Sequence, residues 1–258
     1  MSRPRATVHA RLRGESSPEE LHRAFVEHRE WLVPLQFYRA LHGDAMAQAR
    51  KMSFGARTAV PPEELWLFTE QGTAQQASNQ GALLGTYVLG VDGVELFQSL
   101  PATVAAVRVN AGGFDGDLLS FEGGALDGLR DWAVAVRIER GLAAGDDPRA
   151  TPELMASLRS FRAYHVPVFA DGRLIAKAGH EGFQQPAVVC TAPDAFAGFL
   201  GALDAGMQAQ VELRRLGAQE LMAEVERQGI DALYLNPVGP GPARVLPRAV
   251  CDAIVAAP

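Results

Sequence analysis

A chain of 258 residues, 48% hydrophobic and 21% charged, has the composition of a soluble globular protein and a length that suits one large domain or two of ordinary size. Its net charge of −6 argues against broad nucleic-acid binding, which needs clustered Lys and Arg to displace counterions from phosphates. No apolar run approaches the ~18 residues of a membrane span, and two cysteines, Cys190 and Cys251, are too few for a disulfide framework.

The first stretch, Met1 to Arg13, holds Arg3, Arg5, Arg11 and Arg13 and no acid, so removing its four positive charges from −6 leaves −10 for the rest. It reads as a basic arm for an anionic partner such as a nucleic acid, or as a solvated terminus; the second reading is preferred. With no apolar core before Glu15 it is not a secretory signal. A bacterial-type cytoplasmic setting is expected, with export by a signal-less route left open.

Ser17-Pro-Glu-Glu20 predicts a capping box, with Ser at the N-cap, Pro at the first helical position and Glu at the third. Leu21, Ala24, Phe25 and His28 follow at helical spacing on one apolar face, and Glu30 ends the helix. Trp31-Leu-Val-Pro-Leu35 reads as a strand that Pro34, lacking a donor, places at an edge or with that position outward. Between Gln36 and Glu64 come Phe37, Tyr38, Arg50, Lys51 and Arg57, which read as a contact surface or as a short helix covering a sheet edge. Leu65-Trp-Leu-Phe-Thr69 is an apolar strand whose Thr can cap the next helix. A helix over Val94 to Leu100 precedes the strand Val107-Arg-Val-Asn110, a Gly-rich loop Ala111 to Gly116 and the strand Leu118-Leu-Ser-Phe121.

This order recurs. Thr151-Pro-Glu caps a helix bearing Leu154, Leu158 and Phe161, followed by Tyr164-His-Val-Pro-Val168. Leu21 and Leu154, Phe25 and Leu158, Trp31 and Tyr164, and Pro34 and Pro167 all lie 133 residues apart. The strand Ala187-Val-Val-Cys-Thr191 lies 122 residues beyond its counterpart, so the first copy carries 11 extra residues in the 36–64 stretch. The helix Gln219 to Val225 repeats at 125, and the strand Ala232-Leu-Tyr-Leu-Asn236 at 126; a rigid Pro237-Val-Gly-Pro-Gly-Pro-Ala loop and a strand Arg244-Val-Leu-Pro247 follow. Steady register across five elements predicts a duplicated domain. The expected layout is a leader over 1–14, a first copy over 15–140, a linker over 141–150 and a second copy over 151–258.

No specific catalytic constellation is found. There is no G-x-S-x-G elbow, no phosphate loop, no dinucleotide-binding Gly spacing and no paired-His metal pattern, so no catalytic, cofactor or metal residue is assigned. Asp115, Asp117 and Glu122 read as a solvated acidic loop rather than a cation site, because Leu126 stands where a calcium loop needs an acid. His165 is expected on a sheet face with its ring partly buried, and His180, in a Gly-flanked turn, exposed. A Cys190–His165 nucleophile pair is weighed and set below a buried, inert thiol. The two Asn-ended strands carry more interest. Asn at a strand end bonds the backbone two residues on and shapes a turn, and a rigid Gly/Pro loop loses little entropy on binding. Asn110, Gly112, Gly113, Asn236, Pro237, Gly239 and Gly241, with Phe37, Tyr38, Arg50 and Arg57, form the candidate contact surface.

At these residues the chain resembles the N-terminal domain family of SseB, the enhanced serine sensitivity protein. The likeness rests on Trp31-Leu-Val-Pro-Leu35 with Phe37-Tyr-Arg-Ala-Leu41, the strands ending at Thr69 and Thr191, the Glu-Leu helices at Glu95 and Glu220, and above all Gly229-Ile-Asp-Ala-Leu-Tyr-Leu-Asn-Pro237. It covers the second copy and, more loosely, the first, where Asn110 lacks the following Pro. The familiar member carries one such domain and a different C-terminal domain; here a second copy takes that place. The resemblance implies an α/β (α+β) domain without a known catalytic residue set. The expectation is therefore two tandem repeats of a small mixed sheet with helices mainly on one face. Their expected role is non-catalytic protein binding, as an adaptor, regulator or immunity-type protein, with a homo-oligomer left open. The competing reading is an enzyme or small-ligand binder using an interdomain cleft with His165, His180 and Asn236.

Overall fold

Ser17 and Glu20 form the expected reciprocal cap. The Glu20 N–H donates to Ser17 Oγ at 3.1 Å and the Ser17 N–H to Glu20 Oε2 at 2.7 Å, which starts α1 (Pro18–Glu27). Residues 17–34, 63–79, 88–111, 119–177, 179–239 and 241–256 are described by the structure, a computed structural model. The Arg-rich leader, Phe37, Tyr38, Arg50, Arg57, Gly112, Gly113, Asp115 and Asp117 lie outside them. α1 ends before Glu30: His28 turns to extended backbone at the C-cap and sets its ring against Trp31, centroids 4.9 Å apart, instead of continuing the helix face.

β1 (Trp31–Pro34) pairs antiparallel with β3 (Val88–Val91), and touches β2 (Glu64–Leu67) through one bridge, where Leu32 and Phe68 exchange backbone bonds at 3.0 Å. Backbone donors alternate sides along a strand, so Pro34 is the next residue facing β2. It has no N–H, and the pairing stops there. β1 is thus laddered to β3 alone and meets β2 through that single bridge, with Pro34 turned to the side where no ladder continues, one of the two placements its proline allowed. β2 runs parallel to β4 (Ala106–Val109), and β4 antiparallel to β5 (Leu119–Glu122), giving the order β3-β1-β2-β4-β5. Between them lie α2 (Gln71–Asn79), α3 (Gly93–Gln98) and then α4 (Gly124–Ala144). Trp31, Phe25, Phe97 and Phe121 mesh on one face of this sheet, with Phe25–Trp31 centroids at 5.0 Å and Phe25–Phe121 at 5.1 Å.

The second half repeats the plan with α5 (Pro152–Ser160), β6 (Tyr164–Phe169), β7 (Pro186–Val189), α6 (Pro193–Gly201), a short α7 (Ala205–Gln208), β8 (Val211–Leu216), α8 (Ala218–Arg227), β9 (Ala232–Leu235), β10 (Arg244–Pro247) and α9 (Arg248–Val255). The strand order is β8-β6-β7-β9-β10, with β7–β9 parallel and the other ladders antiparallel. His165 and Cys190 make the joining bridge at 2.8 Å in both directions, at the positions of Leu32 and Phe68. Pro167 ends that pairing as Pro34 does. Here the chain fills the gap itself: Ile175 donates to Pro167 O at 3.3 Å and accepts from Val188 N at 2.8 Å, so the 174–177 segment slips between β6 and β7. Thr151 stands at the α5 N-cap but makes no side-chain cap bond, unlike Ser17.

The fold is thus two tandem repeats of the same small mixed arrangement, each a two-stranded and a three-stranded sheet joined by one bridge, four small sheets in all among the described residues, with helices mainly on one face. In the second repeat α5, α8 and α9 pack together, Arg159 donating to Ala253 O at 2.7 and 3.1 Å. The single helix α6 covers the other face, closing Ala195 and Phe199 over Ile175, Val188, Cys190 and Tyr234. The chain divides into two compact units, Met1–Ala133 and Val134–Pro258, and the division falls inside α4. The first turns of α4 follow β5 as α9 follows β10, which accounts for their place in the first unit. Of the stretch expected as a linker, 141–144 is still helix, with Leu142 buried, and the chain turns at Gly145.

Candidate functional site

Where the parallel ladder of each unit runs out, its next backbone N–H has no strand partner and must find another acceptor. In the second unit that group is the Thr191 N–H, and Asn236 Oδ1 accepts it at 2.9 Å. Asn236 Nδ2 donates to Thr191 Oγ1 at 2.9 Å, and Thr191 Oγ1 donates in turn to Glu139 Oε1 at 2.9 Å. The first unit repeats the clasp. The Thr69 N–H donates to Asn110 Oδ1 at 3.0 Å, and Asn110 Nδ2 to Thr69 Oγ1 at 3.2 Å. Both Asn residues sit in left-handed backbone, φ 56° at Asn110 and 48° at Asn236, which swings the side chain back over the neighbouring strand end.

Two expectations are corrected by this geometry. Thr69 and Thr191 do not cap the following helices; their polar groups are taken up by the Asn side chains. Asn110 and Asn236 do not bond the backbone two residues on and do not lie on a contact surface, being only 2% and 1% exposed. Their partners stand 41 and 45 residues earlier in the chain, a separation no local motif encodes. Glu139, buried and bonded to Thr191, went unread in the sequence because a single acid on a long helix carries no signal of its own.

The clasp fixes the base of the Gly/Pro loop. A Cβ at Gly241 would lie 2.9 Å from both Asn236 Nδ2 and Glu139 Cδ, so the backbone passes closer to the clasp than any side chain allows. Gly239, at φ 138°, lies on α6; a Cβ there would approach Ala195 Cα to 2.9 Å. Pro237 is half-buried, while Val238 is turned outward and 39% exposed. This apolar side chain on a pinned loop was missed by sequence reasoning.

His165 and Cys190 are brought together without being activated. His165 and Cys190 face each other across one bridge, as the neighbouring strands allowed. Burial, aided by the nearby Arg215 charge, pushes His165 down to about 4, and burial pushes the Cys190 thiol up to about 12. A nucleophile pair needs the opposite shift in the thiol. His180 is not exposed as expected: its side chain is 22% exposed and its ring lies against Tyr234, centroids 4.3 Å apart, with Lys177 Nζ 5.3 Å from the same ring. A surface depression of about 450 Å³ in the second unit is lined by Phe169, Arg173, Leu174, Gln185, Gln228 and Ile230, and holds none of His165, His180 or Asn236. Glu122, read with the acidic loop, lies in β5, 3.7 Å from Arg108, which is bonded to Glu64 at 2.8 and 2.9 Å. Among the described residues, no three His, Cys, Asp or Glu side chains group as metal ligands, and no helix is long and apolar enough to cross a membrane.

No protein-family model, curated protein or solved structure matches this chain.

Proposed function

We propose that the chain is a non-catalytic protein-binding protein of adaptor, regulatory or immunity type, built from duplicated SseB-like domains and acting in a bacterial cytoplasm. The observation that carries this reading is Val238, an apolar side chain 39% exposed on a loop whose base is locked by the Asn236–Thr191 clasp. A loop already held in one form gives up little entropy on binding, and a partner gains by covering its apolar tip. The repeated topology of the two units supports the duplication that this reading assumes. Cys190 and Cys251, both buried free thiols, fit a reducing compartment.

Pull-down from a bacterial lysate with the wild-type chain and with Val238→Asp tests the proposal. The expected outcome is a partner retained by wild type and lost with Val238→Asp, while the circular dichroism spectrum is unchanged. Variants at Phe37, Tyr38, Arg50 and Arg57 belong in the same experiment, because the insertion is the second proposed contact. Partners unchanged across all of these variants would sink the reading.

A further inference from the structure

The depression of about 450 Å³ in the second unit is held in shape by side chains from far along the chain. Gln228, the C-cap of α8, accepts the Leu174 N–H at 2.9 Å and donates to Gly172 O at 3.3 Å, which ties down the turn on one side. Asp231 accepts the Gln184 and Gln185 N–H groups at 2.6 and 3.0 Å, which ties down the stretch that carries Gln185. Leu174 and Ile230, 5% and 4% exposed, give the depression an apolar floor, with Phe169 and Ala176 beside them. A preformed, largely apolar hollow of this size is in the range that holds small molecules.

Two of its polar side chains have donors to spare. Asp171 positions Arg173: its Oδ1 takes the Arg173 N–H at 3.0 Å and its Oδ2 takes Nε at 2.6 Å, while the guanidinium carbon lies 5.3 Å from the Phe169 ring centroid. Among the described residues nothing bonds Arg173 Nη1 or Nη2, or the side-chain amide of Gln185. The Arg173 side chain is 71% exposed, and an ion pair so exposed holds weakly, so an incoming anion competes on even terms with Asp171.

We propose that this depression binds a small monocarboxylate with an apolar tail. The carboxylate is forked by Nη1 and Nη2 of Arg173 and met by the Gln185 amide, and the tail lies on Leu174 and Ile230. A planar guanidinium matches a carboxylate through two parallel bonds. One cation already shared with Asp171 suits a single negative charge better than the near-double charge of a phosphate monoester. The other acids close by are engaged, Asp231 by two backbone N–H groups and Glu224 by Arg227 and Gln228. A free acid and a peptide terminus ending in an apolar residue offer this same chemistry. The proposal is independent of the Val238 loop.

Titration of the full chain with hexanoate, followed by amide NMR, reads the outcome. The Leu174, Gln185 and Ile230 amides should shift and saturate in the millimolar range expected of so small a ligand. Hexanamide, which keeps the tail and loses the charge, should bind wild type at least about tenfold more weakly, as should hexanoate with Arg173→Ala. Arg173→Lys should recover only part of the loss, because it restores the charge without the fork. N-acetyl-alanyl-leucine distinguishes the sources: binding tighter than hexanoate assigns the site to a peptide terminus, and weaker binding to a free acid. No saturable shift with either acid overturns the proposal. So does hexanamide binding as tightly as hexanoate, a readout that needs no variant, or an Arg173→Ala chain that binds hexanoate as wild type does.

Discussion

At the scale of single residues, the Thr–Asn clasp stands out because it satisfies a buried backbone donor that the ladder leaves over. Asn236→Ala removes the acceptor of the Thr191 N–H and leaves an alanine in left-handed backbone. Stability should fall by about 2–4 kcal/mol, read as the change in urea-unfolding free energy, with the Thr191 amide losing exchange protection. Asn110→Ala should act in the same direction at Thr69. The two thiols offer a second check. Burial pushes Cys190 up to about 12 and Cys251 up to about 11, so neither is a thiolate at neutral pH. A disulfide reagent such as Ellman's should find no reactive thiol in the native chain and both on denaturation.

At the scale of elements, the two copies solve the same joints with different residues. The first turn of α3 abuts the end of α1 so closely that a Cβ at Gly93 would lie 2.5 Å from Val26 O, while Gly93 N donates to His28 O at 2.8 Å. In the second unit Ala218 fills the matching place and donates to Phe161 O at 3.0 Å, so that helix keeps room for a methyl group. Gly93→Ala should therefore cost about 1–3 kcal/mol by overpacking against backbone, measured by thermal or urea unfolding. Capping differs as well: Ser17 makes its cap bond and Thr151 does not. Ser17→Ala should destabilise by about 1 kcal/mol, and Thr151→Ala by less, since no cap bond is lost.

For the whole molecule, acid acts on both units in one direction. Desolvation lowers His22 and His28 in the first unit, and burial takes His165 in the second down to about 4. A histidine held neutral in the fold but free to protonate when unfolded gives the unfolded chain more bound protons below its ordinary value of about 6.5. Stability contributed this way is full above that value and is lost as pH falls toward about 4. At His165 the loss is at most about 3 kcal/mol, taking roughly 1.4 kcal/mol per pH unit. Urea unfolding at pH 7 and pH 5 should show the drop, and His165→Leu, the residue its counterpart Leu32 already uses, should flatten it.

The sequence by itself determined the repeat. Apolar periodicity, the paired prolines and the Asn- and Thr-ended strands are local properties, and each recurs at a fixed spacing that the folded strand orders then share. It also located the core: Leu21, Phe25, Trp31, Leu158 and Tyr164 are all buried. Only the tertiary structure decided what Asn110 and Asn236 are for, since their acceptor oxygens reach threonines on another strand, brought near by a crossover and not by sequence spacing. β8 also went unread, because its apolar–polar alternation, Val211-Glu-Leu-Arg214, is only four residues long and breaks at Arg214-Arg215. Residues that fold locally can be read in order along the chain; residues that bond across a sheet are legible only once the sheet exists.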